Sequence, residues 1–416
     1  MRKTRPALAA AAACLFAVTA CSTTEPEAAG GGDSGDIETG SGVTDDTITI
    51  GVLTDLSGPF AAGAAVQVTQ FQAFWDQVNA DGGVCDRDVE LQVQDHAYDP
   101  QKAVSLYRSM SSDIIALQQV LGGPTSAAVL PLADQDSMYA GGVGWASTAL
   151  GYESNQLPGA SYSIQGANAV DYLVDELGVA EGSSIGVVYF AGDYGADVLA
   201  GAQHAAEERG VEIIPQEITP ATTDLSAQAS ALVQDGASAV ILGAAPGQLA
   251  SLAGVLASQG ADIPIVGMNP TFNPALLDTP VADALLADTY SILSVAPYAS
   301  DEPGVRAANE LYEAADPDGA IGWEVPLASG QAQLLRTALE GACEAGDLTP
   351  EGVVAAMREG ADVDTEGLFP DGLDYSTVGE SPTRTVYVTK VSDTAEAGLE
   401  LLETYEGPSA QSYTFG

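Results

Sequence analysis

Thr47-Ile48-Thr49-Ile50-Gly51-Val52-Leu53-Thr54-Asp55-Leu56-Ser57-Gly58-Pro59 opens the part of the chain that can fold, and the residues after it decide the class of fold. The first seven are β-branched and apolar in the way of a buried strand, and Asp55 to Pro59 supply turn chemistry. Residues 64–80 then place Val66, Phe71, Phe74, Trp75 and Val78 near the i, i+3, i+4 spacing of one apolar helix face, and Asp81-Gly82-Gly83 ends the run. Strand, turn, helix and stop make up half of a βαβ unit.

The rhythm repeats outward from there. Strands are expected at 88–94 and 114–121, a helix at 101–110, and a short helix after Gly122-Gly123-Pro124-Thr125-Ser126. A second series follows, with helices at 167–177, 194–209, 225–234 and 247–259 alternating with strands at 184–190, 211–218, 239–243 and 263–267. Helices at 302–315, 327–345 and 350–359 and a strand at 383–391 complete it. Short strands alternating with longer helices imply an α/β protein with mostly parallel sheets, and about 370 folded residues imply two domains. No repeat of solenoid period is present.

The N-terminus reads as an export signal. Arg2, Lys3 and Arg5 precede an apolar run from Ala7 to Ala20, which is too short to span a bilayer, and Val18-Thr19-Ala20-Cys21 ends it with small residues before a cysteine. That site resembles the lipobox of bacterial lipoproteins, which implies cleavage after residue 20 and lipid on Cys21. A secreted, unanchored protein is the alternative. Residues 21–45 are Ser-, Thr-, Glu-, Gly- and Asp-rich, and are expected to form a flexible tether. The tail, 392–416, carries no pattern that assigns it.

The chain holds 58 acidic and 12 basic residues, net −46, and loss of three basic residues with the leader deepens this to −49. Nucleic acid is excluded as a partner on that balance. The charge fits a saline exterior and says nothing of a ligand. Once Cys14 leaves with the leader and Cys21 is lipidated, Cys85 and Cys343 remain. An even pair in an oxidising compartment reads as a disulfide, with two buried free thiols as the alternative.

Enzymatic motifs are missing. His96 and His204 are the only histidines, and there is no Gly-x-Ser-x-Gly, Walker A, His-Glu-x-x-His or zinc-type cysteine spacing. His204, among Ala and Glu on a helix, reads as a surface residue. No cofactor or metal is expected.

The opening stretch, residues 78–84, Asp99-Pro100-Gln101-Lys102-Ala103, residues 122–126, Ser147-Thr148 and Gly192-Asp193-Tyr194-Gly195 occur in the order of the leucine/isoleucine/valine-binding proteins of ABC importers, which the chain resembles from Thr47 to about Val391. The resemblance implies a type I periplasmic binding fold: two Rossmann-like lobes joined by three crossovers near 161–165, 292–298 and 367–376. It places 46–163 with 297–367 in lobe one and 164–296 with 368–391 in lobe two. Cys85 and Cys343 then share a lobe, which supports their bond.

It also implies a site between the lobes. Thr125 and Ser126, at a helix start, and Ser147 and Thr148 would hold a carboxylate; Trp145 and Phe60 would wall the pocket, and Tyr194 and Asn269 would close over it. From position alone Thr125 and Ser126 are ordinary N-cap residues and Trp145 is equally a core residue. The sequence departs from the amino-acid binders at two points. Asn269 stands where they carry an acid against the ligand's ammonium, and Ala245 stands for a lobe-two tyrosine. Asn cannot neutralise a buried ammonium, so an amino acid would need Asp193 or Glu324 to supply the charge. An uncharged amide, a carboxylic acid with an apolar body or an aromatic acid is the rival solute. The implied function is capture of a small organic solute by a monomeric, lipid-anchored protein that delivers it to an ABC permease, performing no chemistry. A soluble sensor that docks a separate receptor is the alternative.

Overall fold

The computed structural model describes residues 37–360, 363–370 and 372–415. The leader, Cys21 and most of the expected tether lie outside them.

Two sheets organise the molecule. The first is wholly parallel, in the order β3-β2-β4-β5, from β2 (Thr47–Thr54), β3 (Asp88–Asp95), β4 (Ala116–Leu121) and β5 (Tyr139–Val143). Ile48, Ile50, Val52 and Leu53 of β2 are all fully buried, because helices cover both faces of a parallel sheet. The helices of this layer are α1 (Ala61–Ala80), α2 (Pro100–Met110) and α3 (Gly123–Gln135). Asp99 caps α2 by accepting from the backbone N–H groups of Gln101 and Lys102, and Pro100 takes the first turn, where no N–H is needed.

The second sheet has seven strands in the order β13-β12-β10-β9-β8-β6-β7. Its parallel core comprises β6 (Ser184–Phe190), β7 (Glu212–Ile218), β8 (Ala237–Gly243), β9 (Ile265–Gly267) and β10 (Thr289–Leu293). Around it run α4 (Tyr162–Asp175), α5 (Asp193–Arg209), α6 (Ser226–Gln234), α7 (Pro246–Ser258) and α8 (Ala282–Asp288). After α9 (Pro303–Ala315), α10 (Glu324–Ala345) and α11 (Pro350–Glu359), β12 (Val386–Val391) returns antiparallel beside β10. Both α1 and β4 of the first layer pack against α10.

Two segments differ from the sequence expectation, and a third is one that the sequence left unassigned. The end of the tether is fixed: β1 (Glu38–Thr39) pairs with β11 (Asp347–Leu348), and Ile37 and Val43 pack on the core, which gives the polar segment apolar anchors. The first two residues of the expected crossover at 292–298 are the end of strand β10. The tail is also ordered. Its β13 (Leu399–Tyr405) adds an edge strand on β12, and α12 (Pro408–Ser412) is held by the Asp171 carboxylate, which accepts from the Ser409 N–H and hydroxyl at 2.8 Å each. His204 is accordingly part-covered, its Nε2 2.9 Å from the Ser412 hydroxyl and its ring against Tyr413.

Cys85 and Cys343 are bonded, with Cα atoms 6.2 Å apart, tying the turn before β3 to the last turns of α10. Helices α4 and α5 pack almost backbone to backbone, since a Cβ on Gly201 would collide with the Ser163 carbonyl oxygen. Gly201→Ala is therefore expected to push these helices apart and cost about 1 to 3 kcal/mol, measurable as a lowered urea midpoint at unchanged slope.

Candidate functional site

The strand orders themselves locate a site. In each sheet the first strand sits inside, so consecutive helices leave on opposite sides of it and a crevice opens beyond the carboxyl ends of β2 and β4, and of β6 and β8. Both crevices open into one cavity of about 440 Å³. The segments after all four strands line it: Pro59 and Phe60 after β2, Gly122 and Gly123 after β4, Tyr194 after β6, and Ala245 to Gln248 after β8.

Its wall is aromatic and apolar. Phe60 meets Tyr98 with ring centroids 5.1 Å apart, and Trp145, Tyr162, Tyr194 and Phe190 form a chain with successive separations of 5.7, 4.4 and 6.3 Å. Phe272 and Trp323 complete the aromatic lining, with Leu121, Val143 and Leu276 between. These rings are held in place. The Asp55 carboxylate accepts from the Phe60 N–H at 3.0 Å, and the Trp145 indole donates to the Pro158 carbonyl at 2.8 Å. Tyr98 is the second of two consecutive left-handed residues, Ala97 at φ 54 and itself at φ 59, with its N–H donated to His96 Nδ1 at 3.0 Å. Burial pushes the hydroxyls of Tyr98, Tyr162 and Tyr194 well above their usual range, so they stay neutral.

The polar lining is sparse: Gln67, Thr223, Gln248, Asn273 and Glu324. No lysine, arginine or histidine lines the cavity among the described residues. Glu324, at the start of α10, is 7% exposed, and burial raises its carboxyl to about 7.

Of the residues expected from sequence, Phe60, Trp145 and Tyr194 come together on this wall, with the Tyr194 hydroxyl 3.4 Å from the Ala244 carbonyl. The others lie elsewhere. The Thr125 hydroxyl donates to the Leu121 and Gly122 carbonyls, and that of Ser126 to the Val120 carbonyl at 3.0 Å, as hydroxyls in a first helical turn do when no outside acceptor is nearer. Ser147 is bound to Asp197, which accepts from its N–H and its hydroxyl at 3.0 Å each and from the Ser163 N–H at 2.8 Å. Burial raises Asp197 to about 6 against these bonds. Thr148, Ser126 and Asp193 line a separate cavity of about 120 Å³. Asn269 is buried beside the wall, its Oδ1 accepting from the Ser294 N–H at 2.7 Å and hydroxyl at 2.9 Å. Tyr98, Tyr162, Phe190, Phe272 and Trp323 were not legible as lining. Each sits at a strand or helix end, which is the only local signal they carry.

The profile of the periplasmic binding protein family matches residues 47–396. The chain belongs to that family. Its fold is that of a type I periplasmic binding protein. The fatty acid ABC transporter substrate-binding protein from Thermomonospora curvata is 35% identical to this binding protein, with a TM-score of 0.88 over 91% of this chain and 97% of that one. A branched chain amino acid ABC transporter protein from Thermus thermophilus with bound valine is 17% identical, with a TM-score of 0.76 over 90% of this chain and 99% of that one, a likeness of fold. The Leu/Ile/Val-binding protein homolog 3 of Brucella melitensis biotype 1 is 28% identical over 204 residues, 47% of this chain and 54% of that protein. The matched stretch spans between 23% and 54% of the length of the curated relatives. Among the described residues no helix is long and apolar enough to cross a membrane, and no three potential metal ligands cluster.

Proposed function

We propose that this binding protein is the extracytoplasmic solute-binding component of an ABC importer, and that its solute is a carboxylic acid with an apolar body larger than a branched-chain amino acid side chain. The observation that carries the reading is the cavity at the two crevices: about 440 Å³, walled by eight aromatic side chains, with five polar residues on its lining. Desolvating an apolar chain against such a wall contributes about 25 cal/mol per Å² buried. The 35% identical relative is described as a fatty acid ABC transporter substrate-binding protein, which supports the same class. Binding would draw the two sheet layers together at the three crossovers, with the Tyr194 side closing on the Phe60 side, and the closed form would dock the permease. Lipid on Cys21 and a monomeric state belong to the same proposal.

Glu324 favours a second reading. A buried carboxylate on the cavity wall supplies the countercharge that Asn269 lacks, and an amino acid would place its ammonium there. Thermal unfolding of the mature chain against straight-chain, branched and aromatic acids, each paired with its amide and its α-amino acid, separates the two. A ligand at 100 times its Kd adds about 2.7 kcal/mol. The acids are expected to raise Tm more than their amino-acid counterparts; a shift with leucine, isoleucine or valine and none with the desamino acids would reverse the assignment.

A further inference from the structure

We infer that Glu324 is the polar anchor of the cavity, holding the carboxylate end of an apolar acid through one shared proton. This rests on the reading of the solute as an apolar carboxylic acid, and adds the group that recognises its head and the proton that comes with it.

The geometry carries the inference in three steps. Glu324 is the one carboxyl on the wall and is more than nine-tenths buried, yet no side chain and no backbone group other than its own N–H is bonded to it. Its oxygens pack against glycines: a Cβ on Gly63 would come within 2.8 Å of Oε1, and one on Gly322 would collide with Oε2, so the missing side chains at these positions let the carboxyl sit on the wall of the cavity that Gly63 also lines. A largely buried carboxyl on a cavity wall, bonded to no other residue, points to what the cavity receives.

The second step concerns charge. The first turns of α1, α3, α5, α7 and α10 all reach the cavity, through Gly63, Gly123, Tyr194, Gly247 and Glu324. Five helix N-termini make the space favourable for one negative charge and unfavourable for an ammonium. With no basic side chain on the described lining, two carboxylates could not share it. A carboxylic acid facing a carboxylate can, with one O–H donating and one O⁻ accepting, a short charge-assisted hydrogen bond.

The third step is the surroundings of Glu324. Of the elements packed on α10, the facing residues 61–64 of α1 and the whole of β4 carry no titratable side chain. Tyr312 of α9 is raised by burial, then by Asp316 and then by Glu324, so it stays neutral, and α9 also carries Arg306, Glu310 and Glu313. β11 and α11 pack towards the far end of α10, with Asp347, Glu351, Arg358 and Glu359. Across the cavity stand the neutral tyrosines 98, 162 and 194. Nothing charged competes for the proton, and burial already holds it to about neutral pH.

In the bound pair, Glu324 donates and the solute carboxylate accepts; above neutral pH the missing proton is taken from solvent. The test is calorimetric titration of the full mature chain with decanoate, decanamide and decylamine from pH 6 to 8.5. For decanoate the Kd is expected to stay flat to about pH 7 and then to rise roughly thirtyfold by pH 8.5, with one proton taken up. Glu324→Gln, which still offers an N–H donor, is expected to bind decanoate with no such slope. Decanoate binding that is level across the range, or a slope that survives in the variant, would overturn the inference while leaving the apolar-acid reading standing. Decylamine binding that tightens as pH rises would overturn it too, in favour of Glu324 as an ammonium partner. If neither decanoate nor decanamide binds at any pH, the apolar-acid reading falls and this inference with it.

Discussion

Removing the Cys85–Cys343 bond, by reduction or by the pair Cys85→Ser and Cys343→Ser, is expected to lower the unfolding free energy by up to roughly 5 kcal/mol, because the bond closes a loop of 258 residues in the unfolded chain. The native contacts on either side persist without it. Helices α1 and α10 pack against each other, and the turn carrying Cys85 is also held by Arg87, which donates to the Thr44 and Cys85 carbonyls at 2.8 Å each. The loss therefore falls mainly on the unfolded state, where two distant segments become independent. Local release partly offsets it: Cys85 and Asp86 both adopt left-handed backbone, at φ 52 and 59, and relaxing that turn in the reduced protein would lower the free energy of its folded state. Urea unfolding with and without reductant reads the effect as a shift of midpoint, with a larger slope if the reduced unfolded chain expands. An unchanged midpoint would show that the bond contributes nothing beyond the packing it joins.

The layers of the fold were legible because their cause is local. In β2 the alternation of Thr and Ile followed by a fully apolar end is already a buried strand. In α2, Asp99-Pro100 sets the N-cap and the first helical residue side by side. What escaped were the elements whose stability is borrowed. Strand β13 carries Glu400, Glu403 and Thr404 and owes its place to the ladder with β12, and β1 is two residues long and pairs with a strand three hundred residues away. No window of sequence contains both halves of such a pair.

The site divides along the same line. Phe60 and Tyr194 were reached through the family resemblance, and both lie just after a parallel strand, where a residue points into the crevice at the switch in strand order. The hydroxyls of Thr125 and Ser126 occupy the same kind of position but are turned back onto carbonyls at the end of β4 and at the Gly122 N-cap, a choice that composition cannot reveal. Glu324 was visible only as one of two acids, with Asp193, that could supply a countercharge, and its burial on the cavity wall is what sets it apart. Tyr98 needed both a left-handed turn after β3 and the absence of a side chain at Gly122, against which its ring lies.

Glu324→Gln is expected to stabilise the unliganded protein at pH 8 by about 3 kcal/mol and by only about 1 kcal/mol at pH 5. Burial raises the Glu324 carboxyl from its ordinary 4.5 to about 7, so the folded state holds its proton more tightly than the unfolded chain does. Stability from this group is therefore greatest below pH 4.5, falls as pH rises between 4.5 and 7, and above 7 the ionised side chain sits desolvated with its full cost present. Glutamine has the shape of the protonated form and no charge to desolvate, so the difference between the two proteins traces that cost alone. The difference is the right quantity because other groups titrate nearby. Asp197, raised by burial to about 6, acts in the same direction, and His96, lowered by burial, acts in the opposite one below 6.5. Burial raises Asp95 as well, but bonds from Ser57, Leu56 and Ala97 and the charge of Lys102 outweigh it and hold Asp95 at about 2, so its contribution is lost only below its ordinary 3.8. Those three are common to both proteins and cancel. Urea midpoints of the pair at pH 5, 6.5 and 8 measure the result, and a gap that does not widen with pH would mean that Glu324 is solvated or already paired. A widening gap would show that the unliganded protein keeps a destabilising acid on the wall of its cavity, which is the state that a proton shared with a bound carboxylate would relieve.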